Sequence, residues 1–243
     1  MARLLLTLGL LALLAAPTAA RADAFEDAVR ALNADSYDAK LAAVDALAAL
    51  RDERAIPVLN AMEAGDLFVR ASDGILVIGQ KEGRDYRLTG ALDGQDHGTA
   101  GSRELDKVKV NNRVRGAIKA AVGRLQLENL DPRRRLAAVD NVLRERSPEA
   151  AELLRAALEA EIDTGVRAAM EFGVAAMDLA GDDPERRLAA IDLLTGSLDP
   201  RARALLGQVA ADPDASPEVK QAAEAAIAAV ETNRRMLELV ANL

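Results

Sequence analysis

Apolar residues recur along most of the chain at intervals of three and four positions, the spacing that places side chains on one face of an α-helix. Two runs show this most clearly: Val114, Ile118, Ala121, Val122 and Leu125 in the middle of the chain, and Val219, Ala223, Ile227 and Val230 near its end. The pattern predicts amphipathic helices, each with an apolar side that a neighbour must cover.

The starts of several helices are marked by a polar residue followed by proline. A Ser or Asp side chain caps free N–H groups of the first turn, and proline suits the first helical position because its missing N–H is not needed there. Five dipeptides have this form: Asp131-Pro132, Ser147-Pro148, Asp183-Pro184, Asp199-Pro200 and Ser216-Pro217. They predict five helix starts in the second half of the chain.

Three stretches repeat one another: LAAVD at 41–45, LAAVD at 136–140 and LAAID at 188–192. Each is followed at a constant distance by an alanine and an apolar pair: Ala55 with Val58-Leu59, Ala150 with Leu153-Leu154, and Ala202 with Leu205-Leu206. A second series consists of Val114-Arg115, Val166-Arg167 and Val219-Lys220, with Val69-Arg70 as an interrupted copy. The last two LAA segments begin 52 residues apart, which is room for three helices with their turns.

Repeated helices joined by short connections predict an α-solenoid, in which each repeat buries its apolar side against the next. We therefore expect an all-α fold of the HEAT or armadillo kind, with about nine helices.

One segment, between Ala71 and Leu105, lacks the helical spacing and contains seven of the sixteen glycines. ILVIG at 75–79 is an apolar run typical of a strand, and KEGRD at 81–85 has the composition of a turn. Apolar and polar residues alternate in YRLT at 86–89 and again in KVKV at 107–110, as in a strand with one buried face. These features predict a small β-hairpin or a three-stranded flap inserted at about 72–110, in a helix that would otherwise follow Val69-Arg70. We expect the helices to resume at Asn112.

The segment KVKVNNRVR at 107–115 closes this insertion and has two interpretations. In the first, Val108 and Val110 face the apolar side of the hairpin, Asn111 or Asn112 caps the next helix, and the basic residues face water, as at many strand-to-helix junctions. In the second, the polar residues bind a partner.

Composition narrows the possible functions. The net charge is −8 and aromatic residues make up 2% of the chain, so neither a phosphate-attracting field nor stacking platforms for bases are provided, and we expect no nucleic-acid partner. Cysteine is absent, which excludes disulfides, thiolate metal sites and Cys nucleophiles. The single histidine, His97, lies in a glycine-rich stretch near Asp93 and Asp96. A metal or acid–base site could be drawn there, but a solvent-exposed loop histidine is the commoner case, and we expect no catalytic, metal or cofactor site.

The first residues predict a signal peptide. Arg3 gives a positive start, an apolar run extends from Leu4 to about Ala16, and Ala20-Arg21-Ala22 provides the small residues that a signal peptidase recognises. A buried first helix and a short membrane anchor are the alternatives. We expect residues 1–22 to be removed, which changes the net charge from −8 to −10, and residues 23–243 to form a periplasmic repeat domain without a membrane span.

Several segments together resemble a known family. FVRASDG at 68–74, LTG at 88–90, VKVNNRVR at 108–115, DPRRRLAAVD at 131–140 and the repeats after them are similar to the extracytoplasmic N-terminal region of the urea ABC transporter permease. That family belongs to the branched-chain amino acid and amide permeases. The similarity covers residues 24–243, and its most specific part is the Asn-Asn-Arg junction.

The resemblance implies a non-catalytic periplasmic domain, associated with the inner membrane, that serves a urea or amide importer. Its partners would be the membrane domain of the permease and the periplasmic urea-binding protein. The membrane channel of the family has no counterpart in these 243 residues, so transport would be a property of the whole system. The residues expected to make contacts bracket the insertion: Arg70, Asp73, Asn111, Asn112, Arg113 and Arg115. The alternative is a stand-alone periplasmic HEAT-repeat scaffold that binds another protein through its concave face.

Overall fold

The computed structural model describes residues 24–145, 147–197 and 199–241. The predicted signal peptide, 1–22, lies outside these residues. The chain forms two compact units that divide between Leu125 and Gln126.

Most of the described chain is helical, as the apolar spacing predicted. It contains ten helical segments: α1 (24–31), α2 (Tyr37–Ala49), α3 (Ala55–Ala64), α4 (Asn112–Leu127), α5 (Pro132–Glu145), α6 (Pro148–Ala160), α7 (Thr164–Leu179), α8 (Pro184–Thr195), α9 (Pro200–Ala211) and α10 (Pro217–Ala241). All five Ser/Asp-Pro helix starts are confirmed, because each Ser or Asp side chain accepts an N–H from the first turn.

The insertion is larger than the predicted hairpin or three-stranded flap: it is a five-stranded antiparallel sheet, so the mostly helical fold is not all-α. Its strands are β1 (Leu67–Arg70), β2 (Leu76–Glu82), β3 (Asp85–Gly90), β4 (Asp96–Gly101) and β5 (Leu105–Lys107), in the order β4-β3-β2-β1-β5. The sheet begins before Val69-Arg70, which therefore belong to a strand and do not start a helix. The reason is that Leu67 and Phe68 point to opposite faces of β1 and are both buried, so the strand lacks the alternation that distinguishes it from a helix.

The two faces of the sheet have different roles. Leu67 and Leu76 lie on the face that joins the hydrophobic core of the helices of unit 1. The opposite face carries its own small cluster, which consists of Phe68, Val77, Leu88, Ala100 and Leu105 with Ile75 and Tyr86 at its edge.

The sheet curls around this small cluster. The edge strands β4 and β5 are joined by one 3₁₀ turn, Ser102–Glu104. The four Cα steps from Gly101 to Leu105 span at most roughly 14 Å, whereas the edges of a flat five-stranded sheet lie about 19 Å apart. Only a strongly curled sheet satisfies both distances.

Unit 2 has two hydrophobic clusters, and helix α7 contributes to both. One cluster is centred on Leu154, Val166 and Met170, and the other on Leu194 and Leu206. Gly173 permits the close packing of α7, because a Cβ at this position would lie 2.8 Å from Cδ1 of Leu154.

The repeated sequence positions are also equivalent in local structure. The three LAA segments lie in α2, α5 and α8, and the alanine and apolar pair that follow lie in α3, α6 and α9. The matched residues Leu59, Leu154 and Leu206 are all fully buried, and so are the three alanines. The repeat is therefore a repeat of helix pairs.

Two further sets of residues repeat at an interval of 147 positions. Arg54 lies over the ring of Phe25, and Arg201 lies over the ring of Phe172, each with its guanidinium carbon 4.2 Å from the ring centroid. Each arginine also binds the aspartate two residues before it through both carboxylate oxygens. We call these arrangements the Phe–Arg–Asp clamps. The first and third repeats thus share a packing unit that sequence inspection missed.

Lys40 is a buried cation in this framework. Lys40 directly precedes the first LAA segment and is 4% exposed. Its Nζ donates a hydrogen bond to the carbonyl of Leu32 at 3.3 Å. Burial lowers the pKa of Lys40, and the negative charge of Asp35 only partly opposes this.

We expect Lys40→Met to leave the free energy of unfolding unchanged near neutral pH or to raise it by about 1 kcal/mol, because methionine fills the site without a charge to desolvate. Since the folded protein binds fewer protons than the unfolded chain between the lowered pKa and 10.5, the stability of the wild type should rise with pH in this interval and approach that of the variant above 10.5. Urea unfolding of the wild type and Lys40→Met, at neutral pH and above pH 10.5, measures the two stabilities. A clear loss of stability in Lys40→Met at neutral pH would show that Lys40 stabilises the fold.

Candidate interaction site

Asn111 forms the junction between the sheet and helix α4. Its Oδ1 accepts the N–H of the buried Val114 at 2.9 Å, and the helix begins at Asn112. Val108 is buried and Lys107 and Lys109 are exposed. The first interpretation of this segment, a capped strand-to-helix junction, is therefore confirmed.

Three polar residues that follow the cap lie at the surface. Asn112, Arg113 and Arg115 are all exposed. Arg113 donates to the carboxylate of Asp38 at 3.0 Å, but the two side chains are 74% and 84% exposed. Such a pair contributes at most about 1 kcal/mol, so it does not commit Arg113 to the fold.

Arg70 and Asp73 bind each other at the end of β1. The guanidinium donates to both carboxylate oxygens, at 3.1 and 2.6 Å, and Nη1 donates to the carbonyl of His97 at 3.2 Å. The hydrogen bond from Arg70 is the main cause that lowers the pKa of Asp73. This ion pair connects the β1–β2 turn to strand β4.

The structure places the predicted contact residues in two separate groups. In the antiparallel pair of β1 and β5, Arg70 lies opposite Leu105, and the N–H of Val108 reaches the carbonyl of Leu67. Arg70 and Asp73 therefore lie at one end of this strand pair, and the chain from Asn111 onward lies beyond its other end.

The turns β1–β2 and β3–β4 have the same geometry. In each turn, the N–H of the first residue donates to the carbonyl of the residue five positions later, Arg70 to Ile75 and Gly90 to Gln95. A glycine with positive φ, Gly74 or Gly94, donates its N–H back to the carbonyl of that first residue. Both turns lie at the same end of the sheet. The signal was present in the sequence as ASDG at 71–74 and ALDG at 91–94, and it was missed.

His97 is not the exposed loop residue that its glycine-rich surroundings suggested. It lies in strand β4 with its side chain 25% exposed, and its Nε2 is 3.2 Å from Oδ2 of Asp93. The N–H of Gln95 and then His97 lower the pKa of Asp93 by hydrogen bonding. Gly90 makes room for this pair, since a Cβ there would lie 2.0 Å from Oδ1 of Asp93 and 2.7 Å from Nε2 of His97.

The β1–β2 turn, the β3–β4 turn and the end of α1 border a cleft of about 360 Å³. Leu76, Ala91 and Leu92 form its apolar part, and polar groups surround them: Arg30, Asn33, Asp73, Asp93 and His97. A cleft of this size and make-up can receive one side chain of a partner or a small polar molecule.

The described residues show neither of two other kinds of site. Within 24–145, 147–197 and 199–241, no group of three or more His, Cys, Asp or Glu side chains is arranged to hold a metal ion. Over the same residues, no helix has the length and apolar character needed to cross a bilayer.

Comparisons with models of protein families, with curated proteins and with solved structures gave no match to this chain.

Proposed function

We propose that this chain is a non-catalytic, extracytoplasmic interaction domain of a urea or amide ABC importer. It would contribute to uptake by contacting the periplasmic urea-binding protein and the membrane domain of the permease. Export by the N-terminal segment would place it in the periplasm at the inner membrane. The resemblance of residues 24–243 to the extracytoplasmic region of the urea permease supports this identity.

The observation that supports a contact role is the exposed start of α4. Asn111 provides the cap, so the fold makes no comparable use of Asn112, Arg113 and Arg115. Arginine is enriched at protein interfaces because its planar group can donate several hydrogen bonds to carboxylates at once. A partner can therefore contact these side chains without disturbing the cap of the helix.

The remainder of the chain fits a HEAT-like repeat that holds this surface. The equivalent burial of the three helix pairs supports such a repeat, although the sheet departs from an all-helical solenoid. Insertions into helical repeats lie on one face and commonly carry specific contacts.

We expect Asn112→Ala and Arg113→Ala each to weaken binding to the urea-binding protein of the same importer by about tenfold, because truncating an interface anchor costs about 1.4 kcal/mol or more. Isothermal titration of the full chain with the purified urea-binding protein measures this affinity. Wild-type affinity in both variants would leave the junction with a structural role alone.

Two controls separate contact from folding. Arg124→Ala removes another exposed arginine of α4 and should leave binding unchanged. Asn111→Ala should lower the free energy of unfolding by about 1 kcal/mol through loss of the cap, with little effect on the affinity of the folded protein.

A stand-alone periplasmic scaffold is the second candidate, and the repeated helix pairs by themselves support it equally. It differs in its expected results: no binding to any urea-binding protein, and unimpaired urea uptake when the gene is deleted.

A further inference from the structure

A groove of about 860 Å³ crosses unit 2 where its two hydrophobic clusters adjoin. Its apolar lining is formed by Leu143, Ala151, Phe172, Ala176, Met177 and Leu205. Leu143 and Met177 are the partly buried margin of one cluster, and Ala176 and Leu205 are the margin of the other. The groove is therefore a place where apolar surface of two helical repeats remains partly open to solvent.

The two arginines that line the groove are already neutralised. Arg186 lies 3.6 Å from a carboxylate oxygen of Glu152 and 3.7 Å from one of Asp183. Arg201 is bound by Asp199 at 2.7 Å. They leave little positive charge for an incoming ligand.

The acidic side chains of the lining are less fully paired with cations than its arginines are with carboxylates. Asp182 is exposed at the end of helix α7, next to Asp183, and α7 has no basic residue in its last turn. The C-terminal end of a helix carries partial negative charge and favours a cation. Asp178 lies in the same last turn and is bound by Arg155.

The charge of the whole unit acts in the same direction. Residues 126–243 contain 22 acidic and 14 basic residues, a net charge of −8, whereas residues 24–125 contain 16 acidic and 15 basic residues, a net charge of −1. The acidity of the chain is thus concentrated in the unit that has the groove. Such a field attracts basic partners and repels nucleic acid and acidic peptides.

We propose that this groove docks a basic amphipathic segment of a partner protein. Apolar side chains of the segment would cover the partly buried Leu143, Met177 and Leu205, and a lysine or arginine would approach Asp182 and the end of α7. This is the helix-in-groove mode of recognition, with apolar contacts for affinity and charges for orientation. It uses a surface different from the start of α4 and does not depend on a role in urea uptake.

A fluorescein-labelled peptide of leucine and lysine, patterned as an amphipathic helix, serves as the probe for the full chain. Two further peptides serve as controls: one with glutamate in place of lysine, and one with serine in place of leucine. Fluorescence anisotropy should show binding of the Leu/Lys peptide, weaker binding at higher salt, and at least about tenfold weaker binding of both controls. Equal binding of the Leu/Lys and Ser/Lys peptides would overturn the proposal, since it would reflect general attraction to an acidic surface.

Variants locate the site. Asp182→Lys should weaken binding of the Leu/Lys peptide about fivefold, and Leu205→Ala about tenfold. Glu224→Lys, the same charge change at an exposed position of α10, should have at most a small effect.

Amide chemical-shift mapping keeps the result clear if Leu205→Ala lowers stability. The proposal expects the largest shifts at the end of α7 and along α9. Shifts spread evenly over the acidic surface, or equal loss of affinity in Asp182→Lys and Glu224→Lys, would overturn it.

Discussion

Glu161→Ala should lower the free energy of unfolding by about 3 kcal/mol, because it removes a buried carboxylate and leaves the partly buried Arg135 without its counter-ion. The side chain of Glu161 is 3% exposed and that of Arg135 is 13% exposed, and two hydrogen bonds of 2.7 and 2.8 Å join them. The same carboxylate also accepts the N–H groups of Ile162 and Asp163, which fixes the connection between α6 and α7. Urea unfolding of the full chain measures the loss.

The next repeat provides a matched control. Arg187 is the equivalent arginine, and Asp212, one position short of the equivalent of Glu161, lies 2.9 Å from it. The side chain of Arg187 is 15% exposed and that of Asp212 is 32% exposed. Arg187 is about as shielded from water as Arg135, but the site of the Asp212 carboxylate is open to solvent, so water can enter it after truncation. Asp212→Ala should therefore cost less than Glu161→Ala, about 1–2 kcal/mol. Equal losses in the two variants would contradict the role assigned to burial of the Arg135–Glu161 pair.

The pH dependence gives a second readout of this pair. Burial alone would raise the pKa of Glu161, but the hydrogen bonds from Arg135 and two backbone N–H groups outweigh it and hold the pKa below 4.5. The unfolded chain therefore binds more protons than the folded one between the lowered pKa and 4.5. The stabilisation from Glu161 is complete above 4.5 and should disappear as the pH falls through the lowered value, so wild type and Glu161→Ala should converge in acid.

Sequence reasoning succeeded where local chemistry determines the structure. Ser/Asp-Pro dipeptides predict helix starts because the cap and the proline act within one turn. Strand β2 was recognisable from an apolar run and β3 from alternating apolar and polar residues. Asn111 was identified as a possible cap for the same reason. Its amide side chain needs only the N–H groups of the turn that follows it.

Sequence reasoning failed where a strand lacks alternation. Leu67 and Phe68 are buried on opposite faces of β1, so the apolar run could begin a helix as readily as a strand. Strand β4 lies at the edge of the sheet, and Ala100 is its one buried residue. No run or alternation of apolar residues therefore marks this strand in the sequence. The pairing of His97 with Asp93 could not be foreseen without that strand.

The sequence could not specify which ion pairs form between distant residues. Lys40, Arg135 and Arg187 each precede an LAA segment, and Asp66, Glu161 and Asp212 follow them after 26, 26 and 25 residues. The charge pattern repeats, but the structures differ. Glu161 is buried and binds Arg135, whereas Asp66 is exposed and Lys40 donates to a backbone carbonyl instead. Burial decides these cases, and burial depends on helices that are far apart in sequence.

Phe25→Ala should lower the free energy of unfolding by about 3–5 kcal/mol, because it opens a cavity in the core of unit 1 and removes the ring from one Phe–Arg–Asp clamp. Phe25→Leu keeps an apolar side chain and should cost about 1.5 kcal/mol. The part of this stability loss that comes from the contact between the ring and Arg54 can be isolated with Arg54→Met and the double variant Phe25→Leu/Arg54→Met.

A double-mutant cycle should give a coupling of about 0.5–1 kcal/mol between Phe25 and Arg54, since the guanidinium is held over the ring by Asp52 and stays partly exposed. The cycle of Phe172→Leu and Arg201→Met should give a similar value, because the two clamps have the same ring distance and the same aspartate contacts. Additive effects in both cycles would mean that the clamps stabilise the helices through apolar packing alone. Coupling in both would establish that the first and third repeats share an energetic unit as well as a sequence pattern.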